Sequence, residues 1–415
     1  MKPQLHVKKY GQRAKALAVL GVSVAAVSGL ALAQATPALA DPTEHYVAVG
    51  SDTTENVMDQ FAIDVNGNAV GSYDAVDPVY QAGNDGNTTV SGVNGEITPT
   101  KATGPEDCSF SRPDGSGQGV NALIFSIDQS SQVTQLPVPP QANCVDIARS
   151  SSAPGNNQSN SGQLVYIPFA LDAVAGATGP ATAGTIGGVS AVASQITTAN
   201  QFTLTDLVNL YKNCANVTEG GVTYNPNTAT AGQQQIDLYV PQSGSGTRNF
   251  WSTTLGFNAT TLPSCVHDTI VNGADKNDLV EENDGTAVAT DPDGYGPFSI
   301  SQWISQRNGH DDRRHGAVEN DINAISPFSN GNASTGALNT AYPVTREVYN
   351  VVQYSRVATG GANFDAGLAA LLVGTGSALC KDTFQIESYG FAPLSASTTD
   401  ECGSIATSLR AYATV

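Results

Sequence analysis

The sequence is short of positive charge, with 18 Lys and Arg against 37 Asp and Glu and a formal net charge of −19. Five of those cations (Lys2, Lys8, Lys9, Arg13, Lys15) fall in the first forty residues with no acid among them, so residues 41–415 carry −24. A chain this acidic repels a polyanion at long range, which argues against nucleic acid as a partner. Histidine is scarce as well, five in all, with His6 and His45 at the two ends of the leader region. No general base paired with a serine nucleophile is visible, and the G-x-S-x-G elbow of a hydrolase is missing. GSGQG (115–119) puts glycine in the serine slot, and SGSGT (243–247) lacks the frame. HDDRRH (310–315) matches no zinc spacing, and Arg313 and Arg314 oppose a cation. NDGTA (283–287) and DPDG (291–294) lack the full calcium-loop pattern and read as turns. Neither a metal, nor a cofactor, nor an enzymatic activity is expected. After the leader no apolar run is long enough to span a bilayer, and no repeat of 20–50 residues is present.

What is present begins with that leader. Lys8, Lys9, Arg13 and Lys15 precede an apolar stretch from about Ala16 to Ala33 and a small-residue site at Ala38-Leu39-Ala40. This reads as a secretory signal peptide cleaved after Ala40. No cysteine follows it closely, so a lipid-modified N-terminus is not expected. The six cysteines (108, 144, 214, 265, 380, 402) suit three disulfides in a secreted chain. Fifteen connectivities are open to six cysteines. Sequential pairing, 108–144, 214–265 and 380–402, keeps each bridge within one region.

Along the mature chain apolar runs alternate with helical patterns. HYVAV (45–49) reads as a strand handing over to a helix at SDTT (51–54), where Asp52 and Glu55 have capping-box spacing. NALIFSI (121–127), VDIA (145–148) and LVYIPFA (164–170) are strand or short-helix candidates. LTDLVNLYKN (204–213) and FSISQWISQRN (298–308) read as helices. AYPVTREVYNVVQ (341–353) mixes a turn with a strand, and FDAGLAALLV (364–373) is helical. The alternation predicts an α/β protein.

Four turns are rich in hydroxyls. SDTT follows a strand and opens a helix; Ser116 sits in DGSGQG; ARSS (148–151) brings a cation; SGSGT follows IDLYV (236–240). Each can present backbone N–H groups at a helix N-terminus, where the dipole favours an anion. Each also has a plainer reading, as an N-cap, a flexible turn or a surface ion-pair partner.

In this order the four turns resemble those of the phosphate-binding proteins of ABC transporters. The resemblance covers most of residues 45–415, and SGSGT with its aromatic-bearing helix is its most characteristic part. It implies a two-lobed periplasmic-binding-protein type II fold, with mixed sheets flanked by helices and a ligand cleft between the lobes. After the signal peptide (1–40), lobe one spans 41–165 and returns at 346–415, and lobe two is 166–345. It further implies that Thr53 or Thr54, Ser116, Ser150, Ser245, Gly246 and Thr247 contact inorganic phosphate or a related oxyanion.

Two departures stand out. The family carries an arginine just before its GSGT loop, where this chain has Gln242 and Ser243, and an Asp in the turn that here reads ARSS. Arg149 is the expected substitute cation, with Arg248 a further candidate. Asp52 is either the acceptor that selects a protonated anion over sulfate or a helix N-cap. The expected function is extracellular capture of phosphate by a monomer, serving an ABC permease. The alternative is a secreted surface or matrix protein that keeps the fold with a lost or changed ligand.

Overall fold

The computed structural model describes residues 43–65, 69–76, 95–101, 105, 108–133, 136–180, 192, 196, 201–273, 275–394 and 400–413. The signal-peptide reading of 1–40 and most of the unassigned insertions 81–107 and 176–202 lie outside them.

In chain order, the elements that position the site begin with β1 (Tyr46–Gly50), whose Val47, Ala48 and Val49 are fully buried. A 3-10 turn at Asp52–Thr54 leads into α1 (Glu55–Asp64), which buries Val57, Met58 and Phe61, and then β2 (Val70–Ser72) follows. Next come α2 (Gly115–Ile127), β3 (Ile147–Ser150), the long β4 (Leu164–Thr178) and α3 (Leu204–Asn213). After them lie β5 (Asp237–Tyr239), α4 (Gly246–Leu255), β6 (Val266–His267) and β7 (Gly294–Ser299). α5 (Ile300–Arg307) and β8 (Thr345–Gln353) complete the set.

The Gly-rich stretch at 115–119 differs from its sequence reading. It is the first turn of α2 and continues without a break into NALIFSI. Glycines and a serine make a poor helix interior, but their small size lets this turn pack backbone against backbone on the next loop, where Gly117 N donates to Gly244 O at 2.9 Å. The helix at 204–213 appears as expected, closed by a capping box between Thr203 and Asp206. The box expected at Asp52 and Glu55 does not form: neither Ser51 nor Thr54 caps with its side chain, and the Glu55 carboxylate instead accepts from Ala75 N at 2.7 Å.

The main sheet runs in the order β6-β5-β7-β4-β8-β3-β1-β2, and three short strands (Val318–Glu319, Ala392–Pro393, Arg410–Ala411) pair with β4. Its outer pairs are parallel, β5 with β6 and β7 on one side and β1 with β2 and β3 on the other. The central pairs, β7–β4, β4–β8 and β8–β3, are antiparallel. The architecture is therefore α/β with a mixed sheet flanked by helices.

Two hydrophobic cores share this sheet. One gathers β1, α1, α2, β3, Leu164–Ala170 of β4 and Val348–Val352 of β8. The other gathers Ala173–Ala177 of β4 with α3, Trp251 and Leu255 of α4, Tyr295 and Phe298 of β7, and Trp303. Between them the strands turn polar. Asp172 on β4 stands opposite Arg346 on β8 in register, and the two form a buried ion pair at 2.9 Å. The disulfides Cys108–Cys144, Cys214–Cys265 and Cys380–Cys402 form in the expected sequential pattern. Among the described residues no helix is long and apolar enough to cross a membrane.

Candidate functional site

The four hydroxyl-rich turns meet where the two cores meet, and they close on a residue that sequence reasoning passed over, Glu282. Thr53 Oγ1 donates to Glu282 Oε1 at 2.7 Å and Thr247 Oγ1 donates to the same oxygen at 2.6 Å. Thr247 N adds a longer bond at 3.3 Å and Ser151 Oγ one at 3.4 Å. Ser116 supports from behind, accepting from Ser151 N at 3.0 Å with its oxygen 3.3 Å from Ser151 Oγ. Donors from both cores thus converge on one carboxylate oxygen, and the Glu282 side chain is fully buried. Hydrogen bonds to an ionised acceptor are about twice as strong as neutral ones, so this is a cradle suited to an anionic oxygen.

Local sequence explains how each donor arrives. SGSGT bridges β5 and α4: Ser245 caps the helix by accepting from Arg248 N at 3.0 Å, which leaves the N–H of Thr247 in the first turn to Glu282. At Gly246 a Cβ would run into the hydroxyls of Ser116 and Ser151, so glycine lets the loops pack this closely. Gly244, at φ +102°, turns the chain so that its carbonyl meets Gly117. Glu282 itself sits in a loop clamped by polar bonds. Asn283, at φ 59°, accepts from Ser299 N at 3.3 Å and from Gln306 Nε2 at 2.8 Å, and Gly285 N donates to Arg313 O at 2.8 Å.

The cation of the site is Arg346. Its Nη2 donates to Thr247 Oγ1 at 2.9 Å and to Thr53 Oγ1 at 3.2 Å, while Nε bonds Asp172 at 3.0 Å. Each threonine hydroxyl that accepts from the guanidinium turns its own proton toward Glu282, so the charge of Arg346 is relayed through two hydroxyls. The Phe250 ring of α4 lies against the guanidinium, 5.4 Å from Cζ. Asp172 also accepts from Ser299 Oγ at 2.9 Å and Ser301 N at 3.0 Å.

The expected residues divide into those that reach the cradle and those that do not. Thr53, Thr247, Ser116 and Gly246 form or wall it, and Ser245 serves as the cap of α4. Ser150 turns away and closes its own turn by donating to Ser152 O at 2.8 Å; its neighbour Ser151 faces inward instead. Arg149 is not the cation of the cradle. It is fully buried and donates to the carbonyls of Gly50 at 3.1 Å, Ser51 at 3.3 Å and Tyr73 at 2.7 Å and to Ser72 Oγ at 2.6 Å, tying the ends of β1 and β2 together. Arg248 is likewise committed, to Pro241 O at 3.1 Å and Asp268 at 2.8 Å.

The surroundings are unusually acidic for an interior. Burial, reinforced by Asp114, Glu282 and Glu55, raises the pKa of Asp52 well above the carboxylate range, and burial with Glu281 does the same to Asp114. Glu55 is pushed up to about 7 by burial first and by Asp74 second. The buried Arg313 faces this group: burial opposes its charge, yet Glu55, Asp311, Asp284 and Asp52 together raise its pKa. Several buried polar atoms here have no hydrogen-bond partner among the described residues, including Ser51 Oγ, Asp52 Oδ2, Thr54 Oγ1, Glu282 Oε2 and Arg346 Nη1. Such groups are few in a well-packed core, and each calls for a partner such as water or an ion.

A second acidic cluster lies apart from the cradle. Asp237, Asp291 and Asp293 bring carboxylate oxygens within 4.8 Å of one another. Amide and hydroxyl donors already engage them: Asn272 Nδ2 on Asp237 at 2.6 Å, Tyr239 OH on Asp291 at 2.5 Å and Gln234 Nε2 on Asp293 at 2.7 Å.

No protein-family model and no curated protein matches the sequence. Among solved structures, the chain is similar to a Clostridium perfringens protein described as a phosphate ABC transporter substrate-binding protein, with phosphate bound. Identity is 12 %, with 85 % of this chain and 100 % of that one covered, at a TM-score of 0.43. For PstS from Borrelia burgdorferi the figures are 13 %, 85 % and 100 %, at a TM-score of 0.35. For PfluDING, a high-affinity periplasmic phosphate-binding protein bound with phosphate, they are 12 %, 88 % and 97 %, at 0.36. Identities this low and TM-scores below 0.5 leave ligand and role to the chemistry of the cradle.

Proposed function

We propose that this protein is an extracellular solute-binding protein of the two-lobed type II kind, which captures a small oxyanion of the phosphate class between its lobes. The proposed lobes are 41–165 with 346–415, and 166–345, and β4 passes between them, with Leu164–Ala170 packed in the first core and Ala173–Ala177 in the second. One observation carries the reading: hydroxyl and N–H donors from both cores converge on a single anionic oxygen, with Arg346 behind them. A cleft ligand held from both sides completes a shell that neither lobe supplies alone. Binding, not catalysis, is the role, and an ABC permease is the partner that would receive the anion.

Glu282 favours a second reading, in which the filled cradle is a structural lock in a secreted surface or matrix protein. Calorimetric titration of residues 41–415 with phosphate, sulfate and arsenate separates the two. One-to-one phosphate binding, weakened in Thr247→Ala by about 1–3 kcal/mol, supports capture. Silence toward every oxyanion leaves the structural lock.

A further inference from the structure

The occupant of the cradle is part of the chain. Its carboxylate takes Thr53 Oγ1, Thr247 Oγ1, Thr247 N and Ser151 Oγ on one oxygen, Oε1, while Oε2 has no partner among the described residues. Four donors on one oxygen, and none on the other, describe a stand-in that fits the site partially. A tetrahedral oxyanion presents more acceptors than one carboxylate oxygen, and Nη1 of Arg346, on the guanidinium that backs the cradle, has no partner among the described residues. The loop that delivers Glu282 is anchored on both sides of it, so exchange at the cradle is a movement of the side chain from a fixed backbone. Val280 and Ala287 belong to a small apolar cluster on either side of it, and the intervening Asn283 and Gly285 are held by the hydrogen bonds described above.

From this we infer that Glu282 is a tethered competing ligand, which holds the cradle formed in the absence of solute and must leave it before an oxyanion can bind. The inference rests on the proposed capture of an oxyanion. Charge bookkeeping supports exchange over joint occupancy. Replacing the carboxylate by a singly charged oxyanion leaves the buried charge facing Arg346 unchanged. Adding an anion beside it would put two anions on donors that satisfy one. Competition of this kind lowers apparent affinity by the fraction of molecules whose cradle is open. Glu282 therefore sets which solutes succeed: an anion must outmatch a side-chain carboxylate at these donors.

The test is phosphate titration by calorimetry on residues 41–415 as wild type, Glu282→Gln, Glu282→Ala and Glu282→Ala/Thr247→Ala, each checked for folding by thermal melting. The tether predicts affinity rising from wild type through the Gln to the Ala variant, by about tenfold or more overall, as expected for an open fraction of a tenth or less. The added Thr247→Ala change should then remove most of that gain. Equal binding by wild type and Glu282→Ala overturns the tether and leaves oxyanion capture standing. Binding by the wild type alone overturns it too, making Glu282 a member of the binding shell. If no variant binds phosphate, or if the double variant keeps full affinity, capture at this cradle fails and the tether with it.

Discussion

Arg346 acts on Glu282 through two threonines: Nη2 of the arginine donates to Thr247 Oγ1 at 2.9 Å and to Thr53 Oγ1 at 3.2 Å, and both hydroxyls donate to Glu282 Oε1, at 2.6 and 2.7 Å. The two threonines come from different cores, so this relay links α4 to the turn after β1 across the line where the cores meet. Asp172 holds the Nε and Nη2 edge of the guanidinium, at 3.0 and 2.9 Å. The strongest charges of the site are thus set on β4 and β8, the two strands both cores share.

Arg346→Met should destabilise the fold by about 3–5 kcal/mol, because it strands Asp172 in the interior. Urea unfolding would measure it. Asp172→Asn in the same chain should recover part of the loss, and Arg346→Lys should fall between, since lysine keeps the charge but loses the fork.

Gly246→Ala tests the packing of the two loops. The added methyl meets the Ser116 and Ser151 hydroxyls, and overpacking of this kind costs about 1–3 kcal/mol. Thermal melting should show the loss. A variant as stable as wild type would mean that the loops separate easily at this contact.

Stability should fall as pH rises across neutrality. Glu55 is pushed up to about 7, and burial followed by Asp237 raises Asp291 to about 7 and Asp293 to about 6. The folded chain therefore holds protons that the unfolded chain has released at its ordinary carboxylate pKa. That contribution is complete below the ordinary range, near about pH 4, and is lost as pH climbs through 6 to 7. Melting temperatures taken between about pH 5 and 8 should decline, and Asp291→Asn should flatten the decline. A midpoint that climbs over this range would refute the assignment.

Much of the donor set was legible because it is local. A strand, a small flexible turn and a helix leave free N–H groups at the junction wherever the chain goes next, so SDTT and SGSGT declared themselves. Ser150 and Ser151 show the limit of that reasoning. Adjacent residues at a strand end face opposite ways, and only the pairing of β3 with β1 and β8 decides which one looks inward. Arg149 shows a second limit. It sits in the right turn, but the carbonyls of Gly50, Ser51 and Tyr73 claim it first. One sign did point to Arg346: a charge embedded in the strand run TREVYNVVQ is costly to bury without a partner. The partner, Asp172, lies 174 residues earlier.

Short-range rules thus determined the helix at 204–213, the strand before SDTT and the hydroxyls that line the cradle, since each depends on neighbours within a few residues. Tertiary structure alone decided the charges. Glu282, Arg346 and Asp172 meet because the pairing of β4 with β8 sets Asp172 opposite Arg346 and the loop before β7 brings Glu282 to the same threonines. A buried charge takes its partner from whatever the fold sets within a few ångströms, and that distance is not written in sequence spacing.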